Sequence, residues 1–100
     1  MSHWTPVAPW KFIEGTAQKI TTSGVSASST AVGSETRAIM VVVTTDSHIR
    51  ITTAGSAATT SDMLVKSAWP PIVLGCSPGS IVSVIEDASA GSLYMQELTH

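Results

Sequence analysis

The sequence has few charged residues, one cysteine and no long hydrophobic run, and each shortage excludes a class of protein. Charged residues make up 12% of the 100 residues, about half the usual share of roughly 25%. This composition excludes a highly charged disordered chain. With 43% hydrophobic residues, a single domain of this length can bury a core without support from disulfides or metal ions.

Positive charge is also scarce, which argues against nucleic-acid binding. The five Lys and Arg residues are scattered and the net charge is −2, whereas binding through counterion release requires clustered basic residues. The longest strongly apolar run, residues 38–43, is far shorter than the roughly 20 residues that cross a bilayer. We therefore expect neither a nucleic-acid partner nor a membrane partner.

Cys76 is the only cysteine, so an intramolecular disulfide and a cysteine-based metal site are excluded. A small exported domain would more often contain disulfides. The N-terminus also has no basic region followed by the apolar stretch of a signal peptide. We expect synthesis in a reducing cytoplasm, with Cys76 reduced and buried as a small apolar side chain.

The first fifteen residues differ in composition from the rest of the chain. They contain Trp4, Trp10 and Phe12, which are two of the three tryptophans and the only phenylalanine. Two prolines in this segment favour extended backbone. We interpret residues 1–15 as an extended N-terminal arm whose aromatic side chains bind a neighbouring protein, and residues 16–100 as the folded domain. The alternative is a first strand whose aromatic side chains fill the domain's own core.

The remaining sequence is typical of β-structure. Thr, Val, Ile and Ser dominate it, polar and apolar residues alternate in several segments, and turn residues recur about every 8–12 positions. The pattern predicts a single all-β domain, an antiparallel β-sandwich or jelly roll, with a small-residue loop over 54–61. The predicted strands are 19–22, 25–32, 36–45, 48–53, 62–68, 72–76, 81–86 and 93–98.

The strongest predicted strand, residues 36–45, is apolar on both faces. Because side chains alternate along a strand, three aliphatic side chains share one face while Met40 and Val42 share the other. One face serves the core, and the other is most often covered through a closed symmetric oligomer. We expect Met40 and Val42 to lie in the interface of a homodimer or homotrimer. The predicted core comprises Ile39, Val41, Val43, Ile49, Ile51, Ile81 and Leu93.

Asp46, Ser47 and His48 include the three residue types of a hydrolase triad, but they are consecutive in the sequence. A triad requires side chains that the fold brings together, whereas consecutive residues point to different sides. We interpret the three residues as a turn followed by an outward-facing histidine. Spacings typical of zinc sites or nucleotide-binding loops do not occur. We therefore expect no enzymatic activity, no cofactor and no bound metal.

Three segments carry a resemblance to a known group of proteins. They are TRAIMVVVTTDSHIRI, ATTSDMLV and SPGSIVSVIEDASAGSLYMQEL, which run in this order between Thr36 and Leu98. In this order they resemble small virion proteins of tailed bacteriophages, which are similar to head decoration or cement proteins. The resemblance implies a structural β-sandwich or jelly-roll module on the capsid surface, made in the host cytoplasm. Its implied partners are the major capsid protein and further copies of itself.

The N-terminal arm lies outside this resemblance, and its role is argued from the residues alone. Tryptophan is a leading hot-spot residue at protein interfaces, so we expect Trp4, Trp10 and Phe12 to contact the capsid shell. Two alternatives fit the sequence: a phage tail, head-fibre or connector component, and a glycan-binding β-sandwich module with exposed tryptophans. The chain contains no Asn, a common ligand in sugar sites, which counts against the second alternative.

Overall fold

The computed structural model describes residues 11–99, and within this range the chain forms β-strands and connections without a helix. None of these residues therefore belongs to a helix long and apolar enough to cross a membrane. The nine strands are β1 (Lys11–Phe12), β2 (Gln18–Thr21), β3 (Ala27–Ser28), β4 (Ala38–Val43), β5 (Ser47–Thr52), β6 (Met63–Val65), β7 (Ile72–Gly75), β8 (Ile81–Glu86) and β9 (Ser92–Thr99).

The strands form two antiparallel sheets that pack face to face. In sheet I, both β1 and β2 pair with β9, which is followed by β4 and β7. Sheet II has the order β3-β8-β5-β6. From β2 onward, the pairs β2·β9, β3·β8, β4·β7 and β5·β6 are antiparallel and alternate between the two sheets. This is the double-sheet arrangement of a jelly roll, and it confirms the predicted fold class.

The core lies between the sheets and consists of aliphatic side chains at alternate strand positions. Five of the seven predicted core residues are buried in it, and Ile51 is partly buried against it. The buried cluster comprises Ile20, Val32, Ile39, Val41, Val43, Ile49, Val65, Val82, Val84, Leu93 and Met95.

The prediction that Ile81 belongs to the core is wrong. In β8, Val84 lies opposite Ile49 and Val82 lies opposite Ile51, so the two valines point inward. Ile81 lies opposite Thr52 and points outward. The sequence IVSVIE has aliphatic residues on both faces, so alternation alone does not determine which face is inside.

The outer face of sheet II is covered by the chain's own connection between β5 and β6, residues 53–62. Ala58 in this connection is buried, and its backbone N–H donates to Ser26 Oγ at 2.8 Å. A Cβ on Gly55 would lie 3.3 Å from the Ile81 side chain, so the connection approaches sheet II closely. Sheet II is therefore enclosed on both sides.

The segment predicted as an N-terminal arm ends on the edge of sheet I. Lys11 and Phe12 pair with Thr99 and Leu98, and the Ile13 N–H donates to the Glu97 carbonyl at 3.0 Å. Phe12 therefore occupies a strand position. Trp4 and Trp10 lie outside the described residues, so the structure describes only residues 11–15 of the predicted arm.

Candidate functional site: the open face of sheet I

Asp46, Ser47 and His48 do not assemble into a catalytic group. The Ser47 hydroxyl is fully buried and donates to the Thr45 carbonyl at 3.0 Å. The Asp46 carboxylate accepts a hydrogen bond from the Ser67 backbone N–H at 2.8 Å. The three residues thus contact different partners, as expected for neighbours along a turn and strand.

His48 points away from the core, as predicted, but it is not exposed, because the connection over residues 53–62 covers it. Its Nδ1 lies 2.9 Å from the Asp62 carbonyl oxygen, and its Nε2 lies 2.8 Å from Asp87 Oδ1. Both ring nitrogens are therefore occupied, and neither is free to accept a proton from a serine hydroxyl.

The part of the chain that the structure describes contains no cluster of three or more His, Cys, Asp or Glu side chains that could hold a metal ion. Cys76 is half-buried, less than the sequence predicted, and it packs against the edge of the core. Burial raises the pKa of its thiol, and the nearby Glu97 carboxylate raises this pKa further. The thiol form of Cys76 is thus favoured at neutral pH.

The most distinctive surface is the outer side of sheet I, which we call the open face. Five large apolar or aromatic side chains define it, and all lie on the side opposite the core: Phe12, Met40, Val42, Val73 and Tyr94. Phe12 is 65% exposed, Tyr94 is 45% exposed and Val42 is 39% exposed. Exposed apolar side chains that are contiguous, rather than scattered singly, mark interaction surfaces.

Register brings four of these side chains together across β4, β7 and β9, while Phe12 lies opposite Leu98 towards the end of β9. Val42 lies directly opposite Tyr94, and Met40 lies directly opposite Val73. Tyr94 also lies opposite Lys19 of β2, whose Nζ is 5.8 Å from the centre of the tyrosine ring. This cation–π contact bounds one side of a shallow groove of about 300 Å³, with Met40 and Val42 on the other side.

The floor and walls of this groove are mainly carbon. Besides Met40, Val42 and Tyr94, the groove is lined by Ala17, Gln18, Lys19, Met95 and Gln96. Gln96 Nε2 donates to the Ile13 carbonyl at 2.7 Å and to Thr16 Oγ1 at 2.8 Å, so its amide is used in holding the chain before β2. Such a lining is suited to apolar protein side chains more than to a polar ligand.

The predicted interface residues Met40 and Val42 both belong to the open face, as does Phe12. The structure therefore places Met40 and Val42, indicated for an oligomer interface, and Phe12, indicated for capsid binding, on the outer side of sheet I, while Trp4 and Trp10 lie outside the described residues. Tyr94 and Val73 also belong to the open face, but the sequence did not indicate them as binding residues. The alternation in LYMQEL, with Leu93 and Met95 inside, is the signal that could have placed Tyr94 on this face.

Comparison of the chain with protein-family models, with curated proteins and with solved structures finds no match.

Proposed function

We propose that this protein is a non-catalytic structural subunit that decorates a bacteriophage capsid and stabilises the assembled head. The observation that carries the proposal is the open face, an apolar surface on an otherwise weakly charged jelly roll. A surface of this kind gains free energy when another protein covers it. The similarity to virion proteins between Thr36 and Leu98 supports a capsid as the assembly concerned.

The mechanism is thermodynamic linkage. A protein that binds the assembled lattice but not its separated subunits lowers the free energy of the lattice by mass action. The low charge of the chain supports this function, because many copies placed side by side repel one another only weakly. The capsid subunit and neighbouring copies of the same chain are the proposed partners.

Heads that lack this protein provide the direct test. Filled heads made without it should release their DNA at a lower temperature than complete heads, and adding the purified protein should restore stability. DNA release during heating is followed with a fluorescent dye, and the bound protein is counted by mass spectrometry of washed heads. Recovery of the protein only with tails or fibres would instead support the alternative virion location, and absence from virions would refute both.

The oligomer proposed to form through the open face is tested by Val42→Glu. We expect a wild-type dimer or trimer at micromolar concentration and a monomer for the variant, because the oligomer would bury a charged carboxylate. Self-association should weaken by on the order of 100-fold or more. Sedimentation velocity measures the change.

Val25→Glu is the matched control, since Val25 is 75% exposed in the connection between β2 and β3, away from the open face. This variant should associate like the wild type. A monomeric wild-type protein, or equal weakening by both substitutions, would contradict an interface at the open face.

A further inference from the structure

The most unusual polar group in the molecule is the His48 side chain, which is only 10% exposed and lies between two hydrogen-bond acceptors. Its Nδ1 faces the Asp62 backbone carbonyl at 2.9 Å, and its Nε2 faces the Asp87 carboxylate at 2.8 Å. A carbonyl and a carboxylate both lack a proton to donate. The ring must therefore supply both protons if both contacts are hydrogen bonds.

Only the charged form of histidine can do so. A neutral imidazole has one N–H donor and one lone pair, whereas the imidazolium has two N–H donors. In the neutral form, one ring nitrogen would direct its lone pair at an oxygen, and that contact would become repulsive. The arrangement around His48 thus matches the protonated ring.

The charged groups around the ring favour the same form. Asp87 contacts the ring directly, and Asp62 is close enough to add a favourable charge interaction. Arg50, two residues along β5, opposes this, but its Nε donates to Asp62 Oδ1 at 3.3 Å. Its charge is therefore partly neutralised by that carboxylate.

Further acidic groups lie on the elements packed against the ring. Glu86 is the last residue of β8 and directly precedes Asp87. Asp46 lies beside the Asp87 backbone, whose N–H donates to the Asp46 carbonyl at 3.1 Å. Lys66 follows β6 as a further basic residue in this region. The hydrogen bond to the Asp62 carbonyl, followed by the one to the Asp87 carboxylate, raises the pKa of His48 above its ordinary value, and partial burial opposes the rise.

The two acceptors belong to different connections of the jelly roll. Asp62 ends the connection that covers sheet II, and Asp87 begins the turn between β8 and β9. The Asp46 carboxylate binds the turn after β6 through the Ser67 N–H at 2.8 Å. His48 therefore joins the connection that leaves the Thr52 end of β5 to the turn that lies beside the Ser47 end of the same strand.

We propose that His48 is a proton-operated clamp that ties the covering connection to the β8–β9 turn through the Asp87 side chain when it is protonated, and that loosens this tie when it is neutral. Asp87 is the partner that is released, because its side chain is 44% exposed and its carboxylate can be hydrated. A neutral ring keeps its single proton on Nδ1 and retains the hydrogen bond to the Asp62 carbonyl. The clamp is independent of which partner the open face binds.

The direction of the pH dependence follows from the raised pKa. A group whose pKa is higher in the folded than in the unfolded state contributes stability that is fully present below the unfolded pKa, near 6.5, and is lost as pH rises through the folded pKa. The protein should therefore melt at a higher temperature near pH 5.5 than near pH 8.5. Within the turn, the Asp87 and Gly91 N–H groups, which donate to the Asp46 carbonyl and to Thr22 Oγ1, should exchange more slowly at the lower pH.

Asp87→Asn separates the clamp from a general effect of pH. The asparagine amide can donate to the lone pair of a neutral Nε2, so the variant should keep the turn closed at both pH values. We expect the His48 pKa to fall, and the differences in melting temperature and turn protection between the two pH values to shrink by at least half. His48→Gln should also lack most of the pH difference, with the turn less protected throughout.

The protonation state of the His48 ring can also be measured directly in the wild-type protein, without any substitution. Nitrogen NMR of the His48 ring should show both nitrogens protonated at the lower pH and the Nδ1–H form at the higher pH.

The remaining histidines are His3 and His100. The variant with both of them changed to Gln should retain the full difference in melting temperature between the two pH values. A His48 pKa at or below the ordinary value, or an unchanged pH difference in Asp87→Asn, would overturn the clamp.

Discussion

Leu93→Ala should lower the free energy of unfolding by about 2–5 kcal/mol. Leu93 is fully buried in β9, where it lies opposite Ile20 of β2 and Val43 of β4. Because β9 pairs with strands on both sides, the backbone around Leu93 is held in place and cannot move to fill the cavity. The loss combines the lost burial of the removed atoms with the cavity that remains. Urea unfolding followed by tryptophan fluorescence or circular dichroism measures it.

Val25→Ala is the control for this substitution. Val25 is 75% exposed, so its truncation should change the free energy of unfolding by no more than about 0.5 kcal/mol. A loss below 1 kcal/mol for Leu93→Ala would mean that β9 has a different register, with Leu93 on the outer side of the sheet.

The fold was predictable because, in most strands, the alternation of polar and apolar residues indicates which face lies inward. In β5, the sequence HIRI alternates polar and apolar residues, and Ile49 lies inside as expected. In β4, both faces are apolar, because one face packs in the core and the other forms part of the open face. Alternation failed at Ile81, where aliphatic residues occur on both faces and the pairing with β5 determines which side is buried.

The candidate site was only partly predictable, for a related reason. Met40 and Val42 were placed on an outer face by alternation, and the structure agrees. The contrast between the two sheets was not predictable, since it depends on where the connection over residues 53–62 folds. This connection lies on sheet II and covers His48, while Val42, Val73 and Tyr94 stay exposed on the outer face of sheet I. No local pattern in the small residues of the connection specifies that choice.

The two outer faces of the sandwich differ in how far the chain itself covers them. Sheet II is closed by the chain itself, with Ala58 buried against it and His48 joining the cover to the next turn. Sheet I contributes to the core with one face and exposes Val42 and Tyr94 on the other. Substitutions on the open face should thus affect binding more than folding, and substitutions around His48 should do the reverse.

Glu97 is a second polar residue whose role is structural and was not evident from the sequence. Its side chain points to the inner side of β9 together with Met95, and the residue is only 6% exposed. One carboxylate oxygen, Oε1, accepts hydrogen bonds from Thr36 Oγ1 at 2.5 Å and from the Gly33 backbone N–H at 2.9 Å. Glu97 thereby fixes the connection that leads into β4.

Glu97→Ala should therefore cost about 1.5–3 kcal/mol of unfolding free energy, the range for hydrogen bonds to a charged group. Thr36 is fully buried, so its hydroxyl would lose its acceptor without access to water. Glu97→Gln is the matched control, because its amide oxygen can accept from both donors, and it should retain more than half of the lost stability. Urea unfolding of the three proteins gives the comparison. Equal losses for both variants would show that the negative charge, and not the acceptor oxygen, holds the connection to β9.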